Sequence, residues 1–222
     1  MRFWRKVVAI TWKDVLSEMR TREIIFSVLV FTLLVIVTFN FAFGANPETV
    51  ELVAAGMLWV ALTFSGVLSL NRSFIHEKEE GCLEGLMVCP VSREVIYMGK
   101  MLGILLFMLI VEAIALPIFA FLFNLVLSLQ LVVITVLATI GFVAVGTVFS
   151  AIAVNTKARE IVLPILFLPI VAPIVICAVE ASERALSGHS WGDLAMQLQV
   201  IGAFDIILLV VSFLVFAFVI EE

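Results

Sequence analysis

Few residues of this chain have the types and spacing that catalysis or metal binding requires. No two cysteines form a C-x-x-C pair, and the histidines and cysteines are scattered: His76, Cys82, Cys89, Cys177 and His189. The phosphate-binding pattern G-x-x-x-x-G-K-[ST] is absent, since Gly99-Lys100 lacks the upstream glycine and the following Ser or Thr. We therefore predict no catalytic, metal or cofactor site, no nucleic-acid-binding surface, and no ATPase within this chain.

His189 is the histidine that most invites a ligand role, because Trp191 stands beside it. An exposed histidine next to an aromatic ring is compatible with an axial haem ligand. The alternative is an ordinary solvated loop residue, and the sequence favours this second interpretation.

Two acidic residues lie inside long apolar runs. A carboxyl group in hydrocarbon is costly and usually faces a cavity, a partner or water. Asp205 is close to the predicted outer start of the last run and is expected to reach the interface. Glu112 is deeper in its run. It either lines a translocation or lateral-opening surface or is a protonated carboxyl group that hydrogen-bonds a neighbouring helix.

The segment 71–100 is a charged region between two apolar blocks. Because 64% of the residues are hydrophobic, a segment of this kind belongs outside the bilayer. Residues Ile75–Val88 are compatible with a helix that has glutamates on one side and an apolar stripe on the other. Pro90 ends this helix, and Ser92 is a good N-cap for the next one. We predict a docking helix across the membrane surface; a solvated connecting loop is the alternative.

The apolar runs themselves predict an all-α membrane protein with six transmembrane helices in a single domain, residues 1–222. A run of about 20 apolar residues crosses the hydrocarbon layer as a helix, which satisfies its own backbone. The predicted spans are Ile24–Phe43, Leu52–Leu70, two within Met101–Val154 divided near Asn124–Gln130, Ile161–Val179 and Val200–Ile220.

The basic residues orient these spans. All of them except Arg184 fall on one side of the predicted membrane. Lys and Arg concentrate on the cytoplasmic side, so both termini and the segment 71–100 are expected to be cytoplasmic. Residues 1–23 have no signal-peptide core and are predicted to form an interfacial amphipathic helix, a regulatory docking surface being the alternative.

Two spans have unusual compositions. The fourth is rich in small residues, including Gly146 and Ser150 four positions apart, which suit close packing either within the chain or between subunits. The fifth contains Pro164, Pro169 and Pro173, which predict a broken or kinked helix.

Several motifs resemble one family. From Glu77 to Lys100 the chain reads E-x-x-x-G-x-L-E-x-L-x-x-x-P-x-S-R-E-x-x-x-x-G-K, which resembles the coupling loop of type-2 ABC permeases. The segments Lys13–Glu23, Gly56–Ala61, Leu70–Glu77 and Asn155–Pro173 resemble the haem exporter protein B (CcmB) family of cytochrome c maturation. The last quarter of the chain agrees only in having a sixth span.

This resemblance implies a six-helix type-2 ABC permease in the bacterial inner membrane. Its implied partners are a CcmA-like ATPase, a second copy of the chain, CcmC- and CcmD-like subunits and a CcmE-like haem chaperone. ATP would be bound by the ATPase. Haem would be a handled ligand, either exported or released on its chaperone, and the lack of a recognisable haem site favours release. The implied coupling residues are Glu77, Glu79, Glu80, Gly81, Leu83, Glu84, Leu86, Met87, Pro90 and Arg93.

Two other functions fit part of the pattern. A permease that exports a lipid, a drug or a polysaccharide would have a similar coupling loop, although Asn155–Pro173 favours the cytochrome branch. A membrane scaffold that only assembles other subunits is the second alternative.

Overall fold

The computed structural model describes residues 2–43, 47–79, 91–153 and 159–219. Within these ranges the chain forms helices and no strand. The helices are α1 (Arg2–Thr21), α2 (Glu23–Phe43), α3 (Pro47–Glu79), α4 (Arg93–Leu122), α5 (Leu129–Ala153), α6 (Arg159–Leu186) and α7 (Trp191–Val219).

Six of these helices, α2 to α7, are long and apolar enough to cross a membrane. The prediction of an all-α membrane protein with six spans is therefore confirmed for the described part of the chain. Helix α1 is separate from α2 and covers most of the N-terminal stretch for which an amphipathic helix is predicted; its place at the membrane surface stays a prediction. The helix is followed by Arg22 in a left-handed conformation, φ 56°, which turns the chain into α2.

Helix α5 is at the centre of the bundle. In the 18-residue apolar stretch of α5, 72% of the residues are buried, against 17% in the corresponding stretches of α2 and of α7. It packs against α3, α4, α6 and α7. Its small residues serve this packing: a Cβ on Gly146 would overlap the buried side chain of Leu70. The small-residue pattern of the fourth span is thus explained by contacts within one chain.

Helix α7 begins well before the predicted start of the sixth span at Val200. Ser190 precedes it, and the backbone N–H and the hydroxyl of Ser190 both donate to Asp193 Oδ2, at 3.0 and 2.8 Å. The consequence concerns Asp205, which lies near the middle of α7 with 5% exposure. The expectation that Asp205 reaches the interface is wrong, because the predicted span omitted the polar first turns of this helix.

The prolines of the fifth span do not break it. Helix α6 continues through Pro164, Pro169 and Pro173 from Arg159 to Leu186. Each proline removes one backbone donor from the helix. Helix α6 packs against α3, α5 and α7, with Pro164 and Pro173 half-buried and Pro169 exposed.

Candidate functional site

The predicted coupling segment is only partly within the described residues. Glu77 and Glu79 are in the last turns of α3, and Arg93 is the first residue of α4. The remaining predicted coupling residues lie outside the described residues: Glu80, Gly81, Leu83, Glu84, Leu86, Met87 and Pro90. The described site is therefore the pair of helices that leads into and out of this segment.

Helix α3 leads directly into the segment. It is continuous from Pro47 to Glu79, so residues 75–79 extend the second span and do not start a separate helix at Ile75 as predicted. The physical reason is local, since no proline or glycine interrupts the chain between Gly66 and Gly81. At about 1.5 Å per residue this 33-residue helix is about 50 Å long, well beyond the hydrocarbon thickness.

Helix α4 leads out of the segment and begins as predicted, with Ser92 at its N-cap. The Ser92 carbonyl accepts the backbone N–H groups of Val95 and Ile96 at 3.1 and 3.4 Å. The Ser92 side chain makes no capping hydrogen bond. The start of α4 is instead held by contacts further along, which the sequence motifs did not reveal.

The first of these contacts attaches α1 to α4. The Thr11 hydroxyl of α1 is shared between two carbonyls. It lies 3.0 Å from the Gly99 carbonyl of α4 and 3.1 Å from the Val7 carbonyl of α1. A Cβ on Gly99 would lie 2.7 Å from Ile10, so only glycine permits the helices to come this close. The amphipathic helix is therefore packed into the bundle along one face.

The second contact is a buried ion pair. Lys100 Nζ lies 3.0 Å from Asp14 Oδ2, and the Lys100 side chain is 1% exposed. The Lys100 ammonium also lies 5.9 Å from the centroid of the Phe74 ring, near the end of α3. Lys100 thus links α1, α3 and α4 beside the coupling segment. The signal available in the sequence was a lysine in a G-K-x-x-G run.

The third contact involves Tyr97, the chain's only tyrosine. Its hydroxyl donates to the Ala144 carbonyl of α5 at 3.1 Å. Its ring packs against Phe213 and Phe216 of α7, with centroids 6.3 and 5.1 Å away. Through Tyr97 the first turns of α4 are connected to the central helix and to the last one. Together the three contacts connect the start of α4 to α1, α3, α5 and α7.

The two intramembrane acids flank the central helix. Thr139 Oγ1 of α5 donates a hydrogen bond to Glu112 Oε1 of α4. Glu112 therefore contacts a neighbouring helix, while its protonation and its role stay predictions. Asp205 lies against Gly141, where a Cβ would overlap its carboxyl group. Residues 139 and 141 are about 200° apart around α5. The two carboxyl groups are therefore at similar depth on opposite sides of this helix.

These buried acids are incompletely paired. Glu112 Oε2 and both carboxyl oxygens of Asp205 have no hydrogen-bond partner among the described residues. Among those residues no three His, Cys, Asp or Glu side chains come together as metal ligands. The structure therefore shows Glu112 and Asp205 as acidic side chains packed between helices.

His189 is in the turn between α6 and α7, at the end of the bundle opposite to the coupling segment. Its ring Nδ1 is 3.2 Å from the Arg184 carbonyl, and its own carbonyl accepts from Gln130 Nε2 at 3.0 Å. Gly188, with φ 77°, allows this tight turn. The structure assigns His189 to an exposed but ordered turn that joins α5, α6 and α7.

Comparison with known proteins identifies the family to which this chain belongs. The family model described as CcmB protein matches residues 5–221. Heme exporter protein B of Rhodobacter capsulatus is 31% identical over 162 residues, which are 72% of this chain and 74% of the relative. The heme exporter protein B of Haemophilus influenzae is 28% identical over 193 residues, 86% of each chain. That of Pseudomonas aeruginosa is 29% identical over 166 residues, 72% of this chain and 73% of the relative. With a family match over nearly the whole length and six helices able to span a membrane, the chain belongs to the CcmB protein family.

Proposed function

We propose that this chain is the permease subunit of an ABC complex for c-type cytochrome biogenesis. It couples ATP hydrolysis by a separate, CcmA-like ATPase to haem export or to release of a haem-loaded chaperone. The family match and the relatives named heme exporter protein B support this function. They favour it over a permease for a lipid, drug or polysaccharide and over a scaffold.

The complex lies in the bacterial inner membrane with the basic end of the bundle in the cytoplasm, as the distribution of Lys and Arg indicates. It contains a second copy of the chain and CcmC- and CcmD-like subunits, and it serves a CcmE-like chaperone. The permease itself performs no catalysis.

One observation carries the mechanism: both helices that flank the coupling segment continue into the bundle, and the start of α4 is fixed to its neighbours. Tyr97 connects α4 to α5 and α7, and Lys100 connects it to α1 and α3. Closure of the ATPase dimer would push on residues 80–92. The push would then move α3 and α4 together, with α1 attached, as a rigid-body change.

The test changes the charge of the predicted coupling segment, by reversing one charge or by introducing a new one. Glu84→Lys or Leu86→Asp should lower the ATPase activity that the CcmA-like subunit gains when it assembles with the permease. The same variants should reduce cytochrome c maturation. Glu183→Lys is the matched control, because Glu183 is an exposed acid at the opposite end of the bundle. If the segment variants leave both activities intact while the complex still assembles, the coupling proposal is wrong.

A second measurement separates the two outcomes of coupling. Vesicles that contain the complete complex and haem on one side report export as haem transfer across the bilayer. The same vesicles with a haem-loaded chaperone report its ATP-dependent dissociation. If a complex that hydrolyses ATP shows neither haem transfer nor dissociation of the chaperone, the proposed function is wrong.

A further inference from the structure

Glu112 is a buried carboxyl group that the coupling mechanism described above leaves without a role. It lies within α4 and is 2% exposed. Its Oε1 accepts the hydroxyl of Thr139 on α5, and its Oε2 has no hydrogen-bond partner among the described residues. The described residues therefore offer one donor to the two carboxyl oxygens.

No basic side chain near Glu112 in the sequence could balance a negative charge on it. Residues 101–156 contain no Lys, Arg or His. Lys100 precedes Glu112 on the same helix by about 18 Å along the axis and is paired with Asp14.

The helices packed against α4 do not supply a counter-charge either. These helices are α1, α2, α3, α5 and α7. Helix α5 has no titratable side chain, and in α3 such residues occur only before position 52 and after position 71. On α1, Asp14 lies against Gly103, about 14 Å before Glu112 along α4. The titratable and charged residues of these helices at the ends of the bundle are Arg2, Arg5, Lys6, Lys13, Asp14, Glu18, Arg20, Glu23, Glu48, Glu51, Arg72, His76, Glu77, Lys78, Glu79 and Asp193, and Asp205 is the one within it.

These surroundings determine the charge state of Glu112. A carboxylate that is buried without a counter-charge is strongly disfavoured, and the group binds a proton instead. In its protonated form Glu112 still accepts from Thr139 through Oε1 and carries the proton on Oε2. The proton is retained as long as α4 and α5 remain packed and exclude water.

Glu112 also lies at the boundary that the proposed rigid-body change would move. That change displaces α4 together with α3 and α1, whereas Thr139 is on α5. Glu112 is about 22 Å further along α4 than Tyr97, which holds the start of this helix to α5. A tilt of α4 by about 5° around Tyr97 would displace Glu112 by about 2 Å, which is enough to break its hydrogen bond to Thr139.

The second buried acid, Asp205, is not at this boundary. It is on α7, is 5% exposed, and lies against Gly141 of α5. Neither α5 nor α7 is displaced in the proposed change. Asp205 therefore provides an internal control, because it is a similarly buried acid between helices that stay together.

We propose that Glu112 is a proton switch in the coupling cycle. It holds a proton while α4 packs against α5, and it releases that proton when α4 tilts away and water enters. The carboxyl O–H bond breaks, the proton passes to water, and the reverse step restores the acid; nothing is oxidised or reduced. Asp205 keeps its proton throughout. This inference rests on the proposed function, because closure of the ATPase dimer supplies the tilt.

The resting state is tested on the full chain alone, by infrared spectroscopy at neutral pH. A protonated carboxyl group has a C=O stretching band distinct from that of a carboxylate. Glu112→Gln should remove one component of this band and Asp205→Asn another. Glu112→Gln should leave the Tm nearly unchanged, because its amide oxygen still accepts from Thr139. If Glu112→Gln removes no protonated-carboxyl absorption, the proposal is wrong.

The switch is tested on the complex with its ATPase, in weak buffer with a pH indicator. A non-hydrolysable ATP analogue avoids the protons that hydrolysis releases. We expect the analogue to release about one proton per permease chain from the unaltered complex. Asp205→Asn should retain this release, and Glu112→Gln should abolish it while the complex still assembles.

The outcomes separate this inference from the proposed function. A complex that assembles and hydrolyses ATP but releases no proton, or releases it equally with Glu112→Gln, overturns the proton switch alone. Equal loss in the Asp205 and Glu112 variants also overturns it, since the release would then depend on general packing. A chain that binds no ATPase overturns the proposed function and the switch together.

Discussion

The ion pair between Asp14 and Lys100 gives the sharpest test of how α1 is held. In Asp14→Asn the Lys100 ammonium, 1% exposed, loses the carboxylate that lies 3.0 Å away. Removing one partner of a buried pair costs about 3–5 kcal/mol. We expect the lower end, about 3 kcal/mol, because the Asp14 side chain is 18% exposed and water can reach that edge of the pair. For a chain of this size that corresponds to a fall in Tm of about 6–12 °C.

The two lysines that contact Asp14 make the prediction specific. Lys100→Met removes the buried charge and leaves Asp14 with Lys13 at 2.9 Å, so it should cost less, about 1–2 kcal/mol. Lys13→Met changes a partner that is 43% exposed and should cost under about 1 kcal/mol.

The assay is thermal unfolding of the full chain in detergent for the three single variants and for the double variant Asp14→Asn/Lys100→Met. The double variant should be less destabilised than the sum of its two single variants, because it removes both charges of the pair and leaves no buried Lys100 ammonium without its carboxylate. If Asp14→Asn lowers Tm no more than Lys13→Met does, the pair does not hold α1, and the inference that α1 moves with α4 fails.

Two further predictions concern the central helix. Gly146→Ala should destabilise the chain by about 1–3 kcal/mol, since its Cβ would overlap the buried Leu70; Gly56→Ala, where a Cβ meets nothing within 4 Å, should be neutral or slightly stabilising in the same unfolding assay. Thr139→Val should cost about 1–3 kcal/mol because it removes the hydroxyl that donates to Glu112. The Thr139→Val loss should be smaller in a Glu112→Leu background; equal losses in both backgrounds would show that the hydrogen bond contributes nothing.

The described part of the fold was largely predictable from local patterns. Apolar runs located the spans, and the N-cap residue Ser92 located the start of α4, because span length and capping depend on a few neighbouring residues. The errors arose where a polar stretch continues a helix beyond the hydrocarbon. This happened at the end of α3 and at the start of α7, and in α7 it led to the wrong environment for Asp205.

Other features depend on which helices become neighbours. Composition alone did not decide whether the small residues of α5 pack within the chain or between subunits. It also did not decide whether the prolines of α6 break the helix or only kink it. In the structure Gly146 packs against Leu70 of the same chain, and α6 remains continuous through its prolines.

The sequence by itself determined the class of protein, the number of spans and the charged segment between the second and third, because these follow from hydrophobicity and charge along the chain. Only the tertiary structure decided what holds that segment's flanks. Lys100 was a basic residue among others until α1 and α3 were placed beside it, and Tyr97 showed no role until α5 and α7 were in contact with it. Ion pairs and hydrogen bonds between residues distant in sequence depend on helix packing, which periodicity along one helix does not encode.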